Sequence, residues 1–386
     1  MKKVLLIGCG SEIGASLLSL AEPEIDGFSI SDIITSEISS DPKHPQLTGL
    51  DSLITRIVIA NPNMLDSVKA DYNNDIIIVK GKKINIHWGD ATKIDLNKIK
   101  QKFDAGILAT SKTHVSNPEI ISRFLKVCKY VIGVAEGPKI PSLYVNLIGI
   151  DNIFLDSLPE PAGDNRCFVI GSCQTNGWQA QLRPLLELSK DFANFEVCGL
   201  EVDIIHPDTP TGRLGTKSIS ARNQDPRNNL RPSFSQIEMA MDYLFPFSNN
   251  VNTISLRTLI HPPGYQISRF FFRYKTRNGK RLTRDTVLNS YNKTAKKYPD
   301  MLRMGDLPFG SRGYENCESA AVILTSKNFF KFFDDPFKSK KNNQDSVSEL
   351  IIQSYVHNVR GYCRSVINAI KYLIQAKQIK CFLPVK

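Results

Sequence analysis

The chain has 386 residues, which is long enough for two domains that each bury a core of their own. Hydrophobic residues make up 41% and charged residues 23%, which excludes an intrinsically disordered chain. The net charge of +11 favours anionic ligands, but the basic residues are dispersed rather than gathered in a stripe with aromatics, which argues against a nucleic-acid partner.

Neither a membrane segment nor a metal site is expected from the sequence. No apolar stretch approaches the ~18 residues of a membrane span, and the apolar run before Cys9 is shorter than the ~7–15 residues of a secretion signal. The eight cysteines are scattered, form no CxxC pair and do not cluster with the six histidines. We therefore expect reduced thiols and a cytoplasmic protein.

The chain opens with a predicted strand, a glycine turn and a helix. Residues 3–7 are mostly apolar, as in a buried parallel strand, and the glycines of residues 8–14 follow in a GxGxxxG pattern. Residues 28–32 form a predicted second strand that ends in Asp32. A carboxylate at that position bonds the ribose hydroxyls of a dinucleotide and repels a 2′-phosphate, so the sequence favours NAD over NADP.

Strands and helices continue to alternate through the first part of the chain. Residues 117–127 have the pattern of an amphipathic helix. Strand-like segments cover residues 54–59, 75–87, 103–109 and 130–134. This alternation predicts a parallel α/β sheet, and together with the glycine turn it indicates a Rossmann-like NAD-binding domain over residues 1–172.

The pattern changes after Cys173. Three longer segments alternate and are rich in aromatic residues: 195–206, 251–260 and 266–275. They predict an α+β catalytic domain over residues 173–346 with a mostly antiparallel sheet. Residues 347–377 have the pattern of a helix that rejoins the first domain.

Cys173 is the candidate nucleophile. It follows the apolar run 167–170, and an amphipathic stretch from Trp178 to Leu188 comes after it, which predicts a strand, a tight turn and a helix with the thiol in the first helical turn. Unpaired amides and the positive end of the helix dipole favour a thiolate there, and a thiolate attacks an aldehyde carbon. The alternative is a cysteine that merely packs in the core.

His206 and the loop after it supply a candidate base and a candidate anion site. His206 ends the alternating segment 199–205, where it is either a structural histidine or the base that holds Cys173 as a thiolate. Thr209, Thr211, Arg213 and Arg222 follow in one loop, and hydroxyl groups with guanidinium groups suit a phosphate-bearing ligand. Arg257 lies in an otherwise uncharged strand, which is unusual unless an anion meets it.

These segments, in this order, resemble the glyceraldehyde-3-phosphate dehydrogenase family over nearly the whole chain. Residues 172–176, Ser-Cys-Gln-Thr-Asn, are similar to that family's Ser-Cys-Thr-Thr-Asn nucleophile motif. Residues 354–363, Ser-Tyr-Val-His-Asn-Val-Arg-Gly-Tyr-Cys, resemble the family's Trp-Tyr-Asp-Asn-Glu-x-Gly-Tyr-Ser segment. Residues 76–86 resemble the hairpin of its cofactor domain.

The resemblance implies a role for each matching residue. Cys173 would be the nucleophile and His206 the general base. The implied contacts to NAD are made by Gly8, Gly10, Ile13, Asp32, Thr110, Asn358 and Tyr362. The substrate's phosphate would meet Thr209, Thr211 and Arg257, and the attacking inorganic phosphate would meet Ser172, Thr175, Arg222 and Ser235.

The sequence therefore predicts an NAD-dependent phosphorylating aldehyde dehydrogenase that acts through a thiohemiacetal and a thioester on Cys173. The expected partners are a small phosphorylated aldehyde and inorganic phosphate, and the resemblance implies a homotetramer. Two alternatives stay open. One is a divergent dehydrogenase for another phosphorylated aldehyde or acyl phosphate, and the other is a non-catalytic NAD-binding or interaction protein on the same scaffold.

Overall fold

A computed structural model of the chain describes residues 1–36, 49–137, 139–150, 166–207, 230–244, 251–275, 281–306, 309–334 and 347–376. Within these ranges the protein is of mixed α/β type and contains two eight-stranded sheets. The first sheet is built from strands before Cys173 and the second from strands after it.

The first sheet combines a parallel part with an antiparallel edge. Its strands are β1 Lys2–Ile7, β2 Phe28–Thr35, β3 Val68–Asp71, β4 Ile76–Val79, β5 Lys82–Trp88, β6 Phe103–Leu108, β7 Cys128–Gly133 and β8 Cys167–Val169. Their order is β3-β4-β5-β2-β1-β6-β7-β8. Neighbouring strands are parallel from β5 through β2, β1, β6 and β7 to β8. At the other edge, β3 pairs antiparallel with β4, and β4 pairs antiparallel with β5.

The second sheet is mixed. Its strands are β9 Ala193–Pro207, β10 Arg231–Ser233, β11 Val251–Thr258, β12 Gly264–Lys275, β13 Leu302–Gly305, β14 Ala321–Leu324, β15 Phe330–Phe333 and β16 Ser348–Val356. Strand β9 pairs parallel with β11 and β13 pairs parallel with β14. The other pairings are antiparallel, with β16 contacting β12 on one side and β14 and β15 on the other.

Helices cover the sheets and connect them. The α-helices are α1 Glu12–Leu20, α2 Pro23–Asp26, α3 Gly49–Ala60, α4 Lys112–Val115, α5 Pro118–Arg123, α6 Cys173–Leu188, α7 Ile237–Leu244, α8 Arg284–Lys297, α9 Gly310–Gly313 and α10 Arg360–Gln375. Short 3₁₀ turns occupy Pro62–Ser67, Leu96–Lys98, Phe124–Lys126 and Val145–Leu147. In the described ranges, each helix is too short or too polar to cross a membrane.

The glycine turn brings α1 very close to the first sheet. Gly8 has a φ of +96°, which suits glycine, and a Cβ on Gly14 would lie 2.4 Å from the carbonyl oxygen of Gly8. Ser11 caps the helix, since its Oγ accepts from the Gly14 amide at 3.0 Å and donates to the Ala109 carbonyl oxygen at 2.8 Å. These contacts fix the start of α1 at the ends of β1 and β6.

Two predicted elements are of the wrong type. Residues 54–59 lie in α3 rather than in a strand, because Leu50, Leu53 and Ile57 recur at helical spacing and are buried on one side. The proposed C-terminal helix over 347–377 is also wrong at its start, since residues 348–356 form β16, whose burial alternates along the second sheet. The helix begins only at Arg360. The predicted segment therefore contains a strand of the second sheet, followed by a helix that packs on the first sheet.

Helices α6 and α10 join the two halves of the molecule. Trp178, Leu182 and Leu185 of α6 are buried with residues of the second sheet, whereas Cys173 at its start packs against the core of the first sheet. In α10, Val366 and Ile370 are buried in that first core. The amino-terminal ends of both helices therefore lie where the two sheets meet.

Candidate functional site

The nucleophile candidate begins a helix, as the sequence predicts. Gly171 has a φ of +81° and makes the turn from β8 into α6. Ser172 caps α6, with its Oγ accepting from the Thr175 amide at 3.2 Å, and Cys173 is the first helical residue. The positive end of the helix dipole lies at this first turn and gives the sulfur a positive electrostatic environment.

Two side chains from the second half of the chain contact the Cys173 sulfur. His206 Nε2 lies 3.7 Å from Sγ, and Asn358 Nδ2 donates to Sγ at 3.3 Å. Asn358 Oδ1 accepts from the Gly264 amide at 2.8 Å, so the amide group must turn its nitrogen towards the sulfur. Hydrogen bonds donated to sulfur favour the thiolate over the thiol.

His206 has a partner for either neutral tautomer. Arg257 Nη1 lies 3.0 Å from its Nδ1, and because a guanidinium only donates, this contact places the ring proton on Nε2, facing the sulfur. The Pro207 carbonyl oxygen also contacts Nδ1, and it suits the tautomer in which Nε2 is free to accept a proton. A base that takes up a proton at Nε2 keeps its other proton on Nδ1, so the contact with the Pro207 carbonyl oxygen is the arrangement that suits proton uptake.

A cavity of about 300 Å³ connects this sulfur with the glycine turn. Ser11 and Ile13 line it at the start of α1, Thr110 follows β6, and Cys173 and Tyr362 lie at the other side. Parallel strands end at the same edge of a sheet, so the turns that follow β1, β6, β7 and β8 converge here. This is the ordinary place for a ligand in an open α/β sheet.

Several residues at this cavity suit a bound cofactor. A Cβ on Gly8 would lie 2.5 Å from the Ala109 carbonyl oxygen and 2.7 Å from Thr110 Cγ2, so the turn tolerates only glycine. Thr110 Oγ1 is buried without a hydrogen-bond partner in the described part of the chain, and Thr110 lines the cavity. Tyr362 donates to the Gly171 carbonyl oxygen at 2.6 Å, which holds α10 against the turn before Cys173.

Asp32 does not lie where the sequence placed it. It was predicted to end β2, but the strand continues to Thr35 because Ile33 and Ile34 are buried in the sheet. Asp32 is 3% exposed and accepts from four side chains: Ser31, Asn85, His87 and Gln101. Burial raises the pKa of Asp32, but the hydrogen bonds of His87, Ser31 and Asn85 outweigh burial and hold it below its usual value.

Of the predicted phosphate ligands, Arg257 lines the cavity, three are buried, and the others lie outside the described residues. Arg257 donates through Nε to Ser233 Oγ at 3.1 Å. Ser235 is buried, and its Oγ accepts from the Ile237 amide, so it caps α7. Thr209, Thr211 and Arg222, like Arg213, lie outside the described residues. Ser172 and Thr175 are buried and bonded to each other, with 2.9 Å between Oγ and Oγ1.

Two charged residues at this edge were missed by the sequence reading. Glu136 is 1% exposed beneath the start of α6, and Lys112 lines the cavity with its ammonium 5.1 Å from the centre of the Phe234 ring. Each follows the carboxyl end of a buried parallel strand, β7 or β6. That position in the sequence was the available signal, since ligand sites form at this edge.

Three other cysteines are poor candidates for the same chemistry. Burial raises the pKa of the Cys9 and Cys128 thiols to about 12 and that of Cys167 to about 11. Within the described ranges no cysteine forms a disulfide, and no group of three or more histidine, cysteine or acidic side chains could hold a metal ion.

No protein-family model and no curated protein sequence matches this chain.

Proposed function

We propose that the protein is a nicotinamide-dependent oxidoreductase that oxidises an aldehyde through a covalent thioester on Cys173. The arrangement of Cys173, His206 and Asn358 at a cavity that reaches the glycine turn is the observation that carries this proposal. It supplies a nucleophile, a proton carrier and a donor to sulfur within one site. The resemblance to the glyceraldehyde-3-phosphate dehydrogenase family adds the aldehyde as substrate class.

The cofactor proposal rests on the glycine turn and the parallel strands of the first sheet, which we interpret as a Rossmann-like domain. Gly8 and Gly14 let the turn and α1 pack closely against the strands of the sheet. Ser11, Ile13, Thr110 and Tyr362 line the cavity between that turn and Cys173, where a dinucleotide would lie in such a domain. A bound nicotinamide would accept two electrons as hydride. We propose NAD as the cofactor and NADP as the alternative, although the buried Asp32 does not support a preference for NAD over NADP.

Cys173 and His206 carry out the steps of the proposed reaction that protein side chains perform. The thiolate attacks the aldehyde carbon, forming the C–S bond while the carbonyl electron pair moves to oxygen. The backbone amide of Cys173, in the first turn of α6, stabilises that oxygen. His206 Nε2 donates a proton to the same oxygen as the thiohemiacetal forms, and takes it back as loss of hydride from the carbon converts the thiohemiacetal into a thioester.

The substrate is proposed to carry an anionic group, as in a phosphorylated aldehyde. Arg257 and Lys112 both line the cavity that contains the sulfur, and cations at a partly enclosed site favour a phosphate or carboxylate. The inorganic phosphate and the homotetramer of the sequence prediction rest on the family resemblance, the cytoplasmic location rests on the scattered cysteines, and all three remain expectations.

The experiment is NADH formation across a panel of phosphorylated and plain aldehydes. Cys173→Ala should lower turnover by at least ~10³-fold while leaving cofactor affinity within about twofold. Cys198→Ser is the matched control, because Cys198 is also half-buried but lies outside the cavity lining. Full activity in the Cys173 variant would refute the scheme. A wild-type thiol that fails to react, together with salt-dependent nucleic-acid binding, would favour the non-catalytic alternative.

A further inference from the structure

Glu136 places a buried carboxyl group against the turn that carries the nucleophile. Its Oε1 accepts from Thr175 Oγ1 at 2.7 Å and from the Ser172 backbone amide at 3.2 Å, and Tyr144 donates to Oε2 at 3.3 Å. A Cβ on Gly171 would lie 2.7 Å from Oε1. The turn before α6 is therefore shaped around this carboxyl group.

The donors that Glu136 occupies are those an external anion would use. The start of a helix attracts anions through its unpaired amides and its dipole. Here the Ser172 amide and the Thr175 hydroxyl are bonded to Glu136, and both residues are less than a tenth exposed. An inorganic phosphate at this helix end would have to displace the carboxyl group from its hydrogen bonds or lie beside its charge.

We propose that Glu136 is a specificity-determining residue that supplies the anion at the start of α6 and thereby selects water over inorganic phosphate as the acyl acceptor. This inference rests on the thioester of the proposed function. The water oxygen attacks the thioester carbon, the C–S bond breaks, and Cys173 leaves as a thiolate. One water proton passes to His206 Nε2, and the product is a carboxylic acid.

The charge of Glu136 depends on its surroundings. Burial raises the pKa of Glu136 to about 7, while hydrogen bonds from Thr175, Ser172 and Tyr144 and the Lys112 ammonium oppose burial. Tyr362 also lies close enough to interact electrostatically, and the neighbouring cavity adds Lys139 and Glu119. At about pH 8 the carboxyl group is therefore mostly ionised and repels an anionic acceptor.

The first test compares acyl acceptors at about pH 8, with an aldehyde that gives NADH. In the wild-type protein, inorganic phosphate should change the rate less than about twofold, and phosphorus NMR should show no acyl phosphate. Glu136→Gln keeps the acceptor oxygen and removes the charge, so phosphate should then accelerate turnover by roughly tenfold. Acyl phosphate from the wild-type protein, or a variant that ignores phosphate, would overturn the proposal.

A second test needs no turnover. Alkylation of Cys173 by anionic iodoacetate is compared with alkylation by neutral iodoacetamide, and the ratio of the two rate constants should rise roughly tenfold in Glu136→Gln. Glu119→Gln is the control, because this exposed carboxylate lines the neighbouring cavity but not the cavity that contains Cys173. An unchanged ratio in Glu136→Gln refutes exclusion of anions by Glu136. If no aldehyde gives NADH, the proposed function fails, while this ratio still decides whether Glu136 excludes anions.

Discussion

The side chains that contact the Cys173 sulfur lie far from it in the chain. His206 reaches it from the end of β9, and Asn358 reaches it from the segment between β16 and α10. Gly264 decides the orientation of Asn358, and a Cβ there would lie 2.8 Å from the Ile205 carbonyl oxygen. The surroundings of this thiol are thus set by His206 and Asn358, and through Asn358 by Gly264, rather than by the cysteine motif alone.

Replacing Asn358 should move the reactivity of Cys173 to higher pH. Asn358→Ala removes a donor to the sulfur, so alkylation by iodoacetamide near neutral pH should slow by roughly tenfold. Asn358→Asp retains an oxygen for the Gly264 amide but places a negative charge near the sulfur, so the slowing should be greater. Pseudo-first-order alkylation rates across pH measure both effects. A pH profile that both substitutions leave unchanged would show that this hydrogen bond does not support the thiolate.

Asp32 should matter for stability rather than for cofactor choice. Its carboxylate accepts from four side chains in the sheet, so Asp32→Asn should lower the free energy of unfolding by about 1–3 kcal/mol, because at least one donor loses its acceptor. The ratio of the KM values for NAD and NADP should change less than about twofold. Urea unfolding and steady-state kinetics give the two numbers, and a selective loss of NAD affinity would restore Asp32 as a ribose contact.

At the scale of elements, the start of α10 is capped by a histidine. His357 Nδ1 accepts from the Arg360 amide at 3.1 Å, and Nε2 contacts the Glu315 carbonyl oxygen at 2.7 Å, so the neutral ring carries its proton on Nε2. Burial lowers the pKa of His357 to about 4, against the opposing hydrogen bond of Glu315. This cap positions Asn358, the next residue in the chain.

The titration of His357 predicts a loss of stability in acid. Its pKa is lower in the folded protein than in the unfolded chain, so the unfolded chain binds more protons as pH falls from about 6.5 towards 4. His357→Asn keeps a capping oxygen but does not titrate. Between about pH 7.5 and pH 5, the wild-type free energy of unfolding should fall by about 1–2 kcal/mol more than that of the variant. Urea unfolding at both pH values tests this, and equal falls would exclude His357 as the cause.

At the scale of the whole molecule, charged pairs tie α10 to both sheets. Arg360 and Arg364 bond Glu318, which precedes β14, at 2.8 and 2.6 Å, and Arg364 also lies 3.9 Å from the buried Asp26 of α2. Burial raises the pKa of Glu318, but Arg364 and Arg360 outweigh burial and hold it below its usual value. This network links α10 to a residue beside each of the two sheets.

Breaking the Glu318 network should weaken both the fold and the site. Glu318→Gln should lower the free energy of unfolding by about 1–2 kcal/mol, because two arginines lose a charged acceptor. It should also slow Cys173 alkylation, since Asn358 lies in the segment just before α10. Glu24→Gln breaks the exposed pair with Lys82 and should change neither quantity measurably. If Glu318→Gln matches this control in urea unfolding and alkylation, the network does not hold the site together.

Local patterns predicted much of the fold but failed where distant contacts decide. The glycine turn and the Cys173 helix start are specified by short segments, so both were predicted from the sequence, although their caps, Ser11 and Ser172, were not. The stretch 348–356 was assigned to a helix because its apolar residues also fit that period, yet pairing with β12 and β14 makes it a strand. Similarly, Asp32 remains within β2 because partners from β5 and beyond meet its charge.

The sequence by itself determined that Cys173 opens a helix after a buried strand, because turn chemistry and capping are local interactions. Only the tertiary structure decided which groups surround the sulfur. Contacts with His206 and Asn358 require sheet pairing and helix packing across the chain. The structure alone also showed Glu136 buried beneath the same turn, because the burial of a charge depends on packing that residue order does not reveal.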